Sequence, residues 1–139
     1  MSVEPITFLA IEDDDVDMMA LRRALNDIGL QNEVHHEVDG KAALDYLEAR
    51  STECVVGERF IVFLDLNMPR MNGHEFLEAI RGDDRYSGLR IFVLTTSDTD
   101  ADIVGAYSQS VEAYLLKSDL KESLREAIGE TTGKWLIVS

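Results

Sequence analysis

Apolar residues along this chain fall into two rhythms. Phe60-Ile-Val-Phe-Leu64 is an unbroken apolar run closed by Asp65, with no alternating polar face. Such a run reads as a strand buried on both faces, with the carboxylate of Asp65 delivered at its C-terminal tip. Ile6 to Ile11, Leu89 to Leu94 and Ala113 to Leu116 are further short apolar runs, while Val34 to Val38 is a weaker strand crowded by His35, His36 and Glu37. Between these runs the spacing becomes helical. Leu21, Leu25 and Ile28 precede Gly29, a helix stop; Ala43, Leu44 and Leu47 mark a second helix. Phe76, Leu77 and Ile80 mark a third, Ile103, Val104 and Tyr107 a fourth, and Leu120, Leu124, Ala127 and Ile128 a fifth, with Asp119 and Glu122 as its capping pair. Five alternating strand and helix units, without repeats, predict an α/β fold with a parallel sheet covered by helices on both faces.

The strand ends carry the polar chemistry. The first strand runs directly into Glu12-Asp13-Asp14-Asp15, and the third ends at Asp65 before Pro69 and Asn72-Gly73 break the chain. If these strands are parallel neighbours, Glu12, Asp13 and Asp65 meet at one edge, and three close carboxylates do not all stay charged without a cation. Mg2+ suits that edge, since it takes oxygen ligands from one or two carboxylates together with waters and phosphate oxygens. The fourth strand ends in Thr95-Thr96-Ser97 and the fifth in Lys117-Ser118. A hydroxyl and an ammonium beside a carboxylate and a metal suit a phosphoryl group on Asp65, whose spread charge needs donors and cations around it.

In these residues the chain resembles the receiver domain of bacterial two-component response regulators. The acidic pair Glu12-Asp13, the block Asp65-x-x-Met68-Pro69-x-Met71-x-Gly73, Thr95 and Tyr114-x-x-Lys117 appear in the family's order. The resemblance implies that Asp65 is the phosphoacceptor, that Asp13, Asp65 and the backbone carbonyl of Asn67 ligate Mg2+, and that Glu12 assists. Mn2+ or Ca2+ would be substitutes. Thr95 would bind the phosphoryl oxygen, Lys117 would pair with it, and Tyr114 would be the aromatic switch residue whose rotamer follows Thr95. The expected fold is flavodoxin-like, (βα)5, with strand order 2-1-3-4-5, which makes strands one and three neighbours. Within the family the chain is most similar to single-domain regulators associated with bacterial and cyanobacterial phytochrome histidine kinases, in the polar stretch from Glu48 to Glu58, the Leu94-Thr-Thr-Ser97 block and the late Trp135-Leu-Ile-Val138. Where receivers commonly have Pro after this Lys, Ser118 stands here, and a trans Lys117–Ser118 bond is expected because a non-proline cis bond costs about 2.5 to 4 kcal/mol.

Composition narrows the partners. The 139 residues suit one domain, residues 1–139, with 134–139 as an apolar C-terminal extension, and leave none for an output domain after the fifth helix. A net charge of −14 argues against nucleic acid as a partner. Lone Cys54 excludes an internal disulfide; no signal peptide or apolar run of membrane-spanning length is present, so a cytoplasmic location is expected. The expected partners are a sensor histidine kinase or phosphotransfer protein, a bacteriophytochrome among the candidates. Four consecutive apolar residues at Trp135 to Val138 predict a homodimer that buries the tail between protomers, the alternative being a tail folded back on its own domain.

Other readings fare less well. Asp14, Asp15 and Asp17 read as solvated surface, and His35, His36 and His74 as structural or surface histidines without the clustering of a transition-metal site. An EF-hand loop starting at Asp13 fails at Met18 and Ala24, where its glycine and glutamate would stand. A flavin carrier of the same fold would meet carboxylates where its phosphate must sit. A Mg-dependent phosphatase with an aspartyl-phosphate intermediate is the enzyme alternative, but Asn67 occupies the place of its second Asp.

Overall fold

The computed structural model describes residues 6–65, 73–95 and 111–130. Its five strands are β1 (Thr7–Ile11), β2 (Val34–Glu37), β3 (Phe60–Asp65), β4 (Arg90–Thr95) and β5 (Ala113–Leu116). They form one parallel sheet in the order β2-β1-β3-β4-β5, so the flavodoxin-like topology expected from the sequence is the observed one. The described helices are α1 (Asp15–Asp27), α2 (Gly40–Arg50), a one-turn α3 (Val56–Arg59), α4 (Gly73–Arg81) and α5 (Leu120–Glu130). The helix expected around Ile103, Val104 and Tyr107 lies outside the described residues, as do Asn67, Thr96, Ser97 and the tail from Trp135 to Val138.

Each central strand divides its side chains between two cores, because successive residues point to opposite faces. Leu9, Ile11, Val62, Leu64, Ile91 and Val93 pack with Leu47, Phe76, Leu77 and Ile80 of α2 and α4. Phe8, Ala10, Ile61, Phe63, Phe92 and Leu94 pack with Leu21, Leu25 and Leu124 of α1 and α5. That is why β3 shows no polar face: all six residues are buried. Each Leu or Phe held this way contributes about 1.5–3 kcal/mol.

Local chemistry sets the helix ends. Asp14 caps α1, its Oδ1 accepting from the amides of Val16 at 2.8 Å and Asp17 at 3.3 Å, so it is more than the solvated acid expected. Gly29 takes φ +87° just beyond the helix, a left-handed stop. Buried Asp39 caps α2 through the Ala42 amide at 2.8 Å. Glu122, expected to pair with Asp119 at the start of α5, instead holds Arg125 at 2.6 Å. The stretch from Glu48 to Glu58, read as polar, runs into α3. Gly57 seats that turn: a Cβ there would lie 2.4 Å from the Ser87 carbonyl oxygen.

Candidate functional site

The register of the sheet lines up the ends of four strands. Ile11 pairs with Leu64, Asp65 with Leu94 and Thr95 with Leu116, so the chain leaves the sheet at Glu12, Asp65, Thr95 and Lys117 along one edge. These are the residues the sequence singled out, and hydrophobic patterning alone fixes which end of the sheet carries them.

Glu12 is fully buried. Its Oε2 accepts from the amides of Asp13 at 3.0 Å and Asp14 at 3.3 Å, a turn that folds the carboxylate back over its own chain. Its Oε1 lies 2.9 Å from Lys117 Nζ as an ion pair without the angle of a hydrogen bond, and so is a buried oxygen with unused acceptor capacity. Burial raises the Glu12 carboxyl to about 8, helped by a hydrogen bond with Asp65 and opposed by Lys117. The His36 ring nitrogen Nε2 meets the backbone carbonyl oxygen of Glu12 at 2.6 Å, so this histidine is structural, as expected, and braces the site.

Asp65 is 4% exposed and Asp13 lies at the surface above it. One carboxylate oxygen from each of Glu12, Asp13 and Asp65 falls within a 4.8 Å group. The donor set is all oxygen, mixes buried and exposed carboxylates, and contains an under-used Oε1, which fits a hard divalent cation such as Mg2+. Asn67, the remaining expected ligand, lies outside the described residues.

Among the described residues, Lys117 is the cation of the site. Its Nζ donates to Asp17 Oδ2 at 2.9 Å and stands 2.9 Å from Glu12 Oε1 and 3.3 Å from Asp65 Oδ2. Burial works against its charge, but the carboxylates of Asp17, Glu12 and Asp65 outweigh that and hold the ammonium well above its ordinary range. The Lys117–Ser118 bond is trans, as expected from the absent proline, and Lys117–Asp119 form a 3-10 turn. Thr95 is buried at the end of β4, next to the Asp65 strand. Tyr114 is 48% exposed on the edge strand.

Asp17 is the residue that sequence reasoning missed. It was expected to be solvated surface, yet it reaches Lys117 across 100 positions of chain. No local spacing singles it out: Asp14 and Asp15 of the same acidic run are exposed, while Asp17, in the first turn of α1, is half-buried.

A family model described as the response regulator receiver domain matches residues 8–129. A probable methanogenesis regulatory protein, FilR2 of Methanothrix harundinacea, is 36% identical over 136 residues, covering 96% of this chain and 85% of its own. The bacteriophytochrome response regulator AtBRR superposes with a TM-score of 0.81 at 28% identity, over 99% of each chain. The response regulator Rcp1 of Synechocystis is 27% identical over 132 residues, covering 95% of this chain and 90% of its own. Its Mn2+-bound structure matches with a TM-score of 0.71 over 97% of each chain.

Proposed function

Because the chain belongs to the response regulator receiver family, we propose that it is a single-domain phosphorylation switch in which Asp65 accepts a phosphoryl group from a phosphohistidine. The observation that carries this is the setting of Asp65: a buried carboxylate at a strand tip, with Lys117 Nζ at 3.3 Å and the oxygen donors of Glu12 and Asp13 beside it.

In the proposed reaction an Asp65 carboxylate oxygen bonds to phosphorus as the P–N bond to the imidazole breaks, the electron pair leaving with the nitrogen. Mg2+, held by Glu12, Asp13, Asp65 and the Asn67 backbone carbonyl, would supply charge neutralisation for the transferring oxygens. Glu12 stays fixed by the amides of Asp13 and Asp14 and keeps Oε1 toward Lys117 and the site. Phosphorylation adds roughly one to two negative charges at the strand tip. Lys117 shifts from carboxylate to phosphoryl oxygen, and the Thr95 hydroxyl donates to another. Tyr114, half-exposed on β5, turns inward as Thr95 moves, which alters the face offered to partners.

The product acts through protein contacts or as a relay intermediate. Likeness to the bacteriophytochrome response regulator AtBRR supports a phytochrome-type histidine kinase as donor. No described helix is long and apolar enough to cross a membrane, which agrees with the cytoplasmic setting proposed here. Residues 1–139 act as one receiver domain, and the segment 134–139 joins two copies into a homodimer. The test is transfer from a phosphorylated histidine kinase: label should move to this chain, at most one per molecule. Sustained release of phosphate from unrelated phosphoesters, many turnovers per chain, would identify a Mg-dependent phosphatase instead.

A further inference from the structure

We propose that Asp17 is a positioning residue that tethers Lys117 in the unphosphorylated protein and so sets how readily the site accepts a phosphoryl group. The inference rests on the phosphoacceptor reading of Asp65.

The geometry of the ammonium carries it. Of the three carboxylates around Lys117 Nζ, Asp17 takes a well-formed hydrogen bond at 2.9 Å, Glu12 stands at 2.9 Å and Asp65 is farthest at 3.3 Å. Glu12 is pinned by the amides of Asp13 and Asp14 and is buried, so its place is dictated by the β1 terminus. Asp17 differs, because it projects from the first turn of α1 and its side chain is 36% exposed. It therefore holds Lys117 from the open side of the site, opposite the buried oxygens. A phosphoryl group on Asp65 offers Lys117 new anionic oxygens, and engaging them competes with Asp17. A contact made only in the unphosphorylated arrangement biases the equilibrium toward that arrangement, in proportion to its differential strength. For a partly solvated ion pair the bias is modest, about two- to fivefold.

Asp17→Asn keeps the shape of the side chain and removes its charge. Asp15→Asn is the matched control: Asp15 is exposed two residues earlier in the same turn of α1 and forms no ion pair among the described residues, so it reports the general field of the acidic run. Two measurements follow. Without Mg2+, the rate at which an amine-reactive reagent labels Lys117, read by peptide mass spectrometry, should rise in Asp17→Asn and stay at the wild-type level in Asp15→Asn. With Mg2+, the affinity for beryllofluoride as a phosphoryl mimic should rise about two- to fivefold in Asp17→Asn, beyond any change in Asp15→Asn. Equal labelling of Lys117 in all three proteins overturns the tether. Faster labelling with unchanged mimic affinity overturns its regulatory role. A wild-type protein that binds no mimic and takes no phosphate overturns that role together with the phosphoacceptor reading; unchanged labelling in Asp17→Asn with normal phosphorylation overturns the tether alone.

Discussion

The imidazole of His36 meets the backbone carbonyl oxygen of Glu12 at 2.6 Å, tying the edge strand β2 to the acidic corner at the end of β1. Glu12 is followed by three more acids, and its backbone is held from β2 both by this ring and by its own amide, which donates to the Glu37 carbonyl oxygen at 3.0 Å. His36→Ala should cost about 0.5–1.5 kcal/mol of stability, the net value of a protein hydrogen bond, and weaken Mg2+ binding. Urea unfolding and calorimetric titration with Mg2+ check both. Unaltered metal affinity would show that the β1 terminus holds its shape without the brace.

The raised Glu12 carboxyl makes the metal-free protein pH-sensitive with a defined sign. Glu12 moves from an ordinary 4.5 to about 8 on folding, so between these values the folded state holds a proton that the unfolded state has released. Its contribution to stability is therefore full below about pH 4.5 and declines as pH rises toward 8. Lys117, shifted upward, keeps its contribution throughout this window and adds no slope. In chelator, the difference in unfolding free energy between wild type and Glu12→Gln should grow in favour of the variant as pH goes from 5 to 8. A pH-independent difference would show that Glu12 titrates normally.

Gly57 predicts a purely structural effect. The added Cβ of Gly57→Ala would meet the Ser87 carbonyl at 2.4 Å, and backbone must move, at a cost of about 1–3 kcal/mol. Thermal unfolding should register the loss while phosphorylation of the folded fraction stays normal, since α3 lies at the opposite end of the sheet from Asp65.

The proposed homodimer depends on the C-terminal tail. Truncation after Gly133 should reduce the solution mass from dimer to monomer by light scattering. An intact chain that is monomeric at tens of micromolar, with or without phosphorylation, contradicts the proposal.

What could be read in the sequence follows burial. β3 and β5 keep the bounds assigned to them, because strands buried on both sides or closed by a polar residue announce their ends. β2 was the weak strand, and the reason is physical: it is an edge strand, half-buried at every position, so His35, His36 and Glu37 are tolerated there. His35 stacks on Tyr46 at 3.8 Å, a contact no local pattern encodes. β4 reaches one residue further than the apolar run, taking in Thr95, whose side chain is buried despite its hydroxyl. In the site, Glu12, Asp13 and Asp65 were legible because they follow or close buried strands, and Lys117 because it ends the short apolar run of β5. Asp17 was not, because its partner lies 100 positions away just after β5, and five acids among the six residues from Glu12 to Asp17 give no sign of which faces inward.

The central claim is that Asp65 takes the phosphoryl group with help from a divalent cation. Intact mass spectrometry after incubation with a small phosphodonor and Mg2+ tests it most directly. One added phosphate per chain is expected, absent in Asp65→Asn and absent when chelator replaces Mg2+. A phosphate that still appears on Asp65→Asn, or forms equally well in chelator, would contradict it.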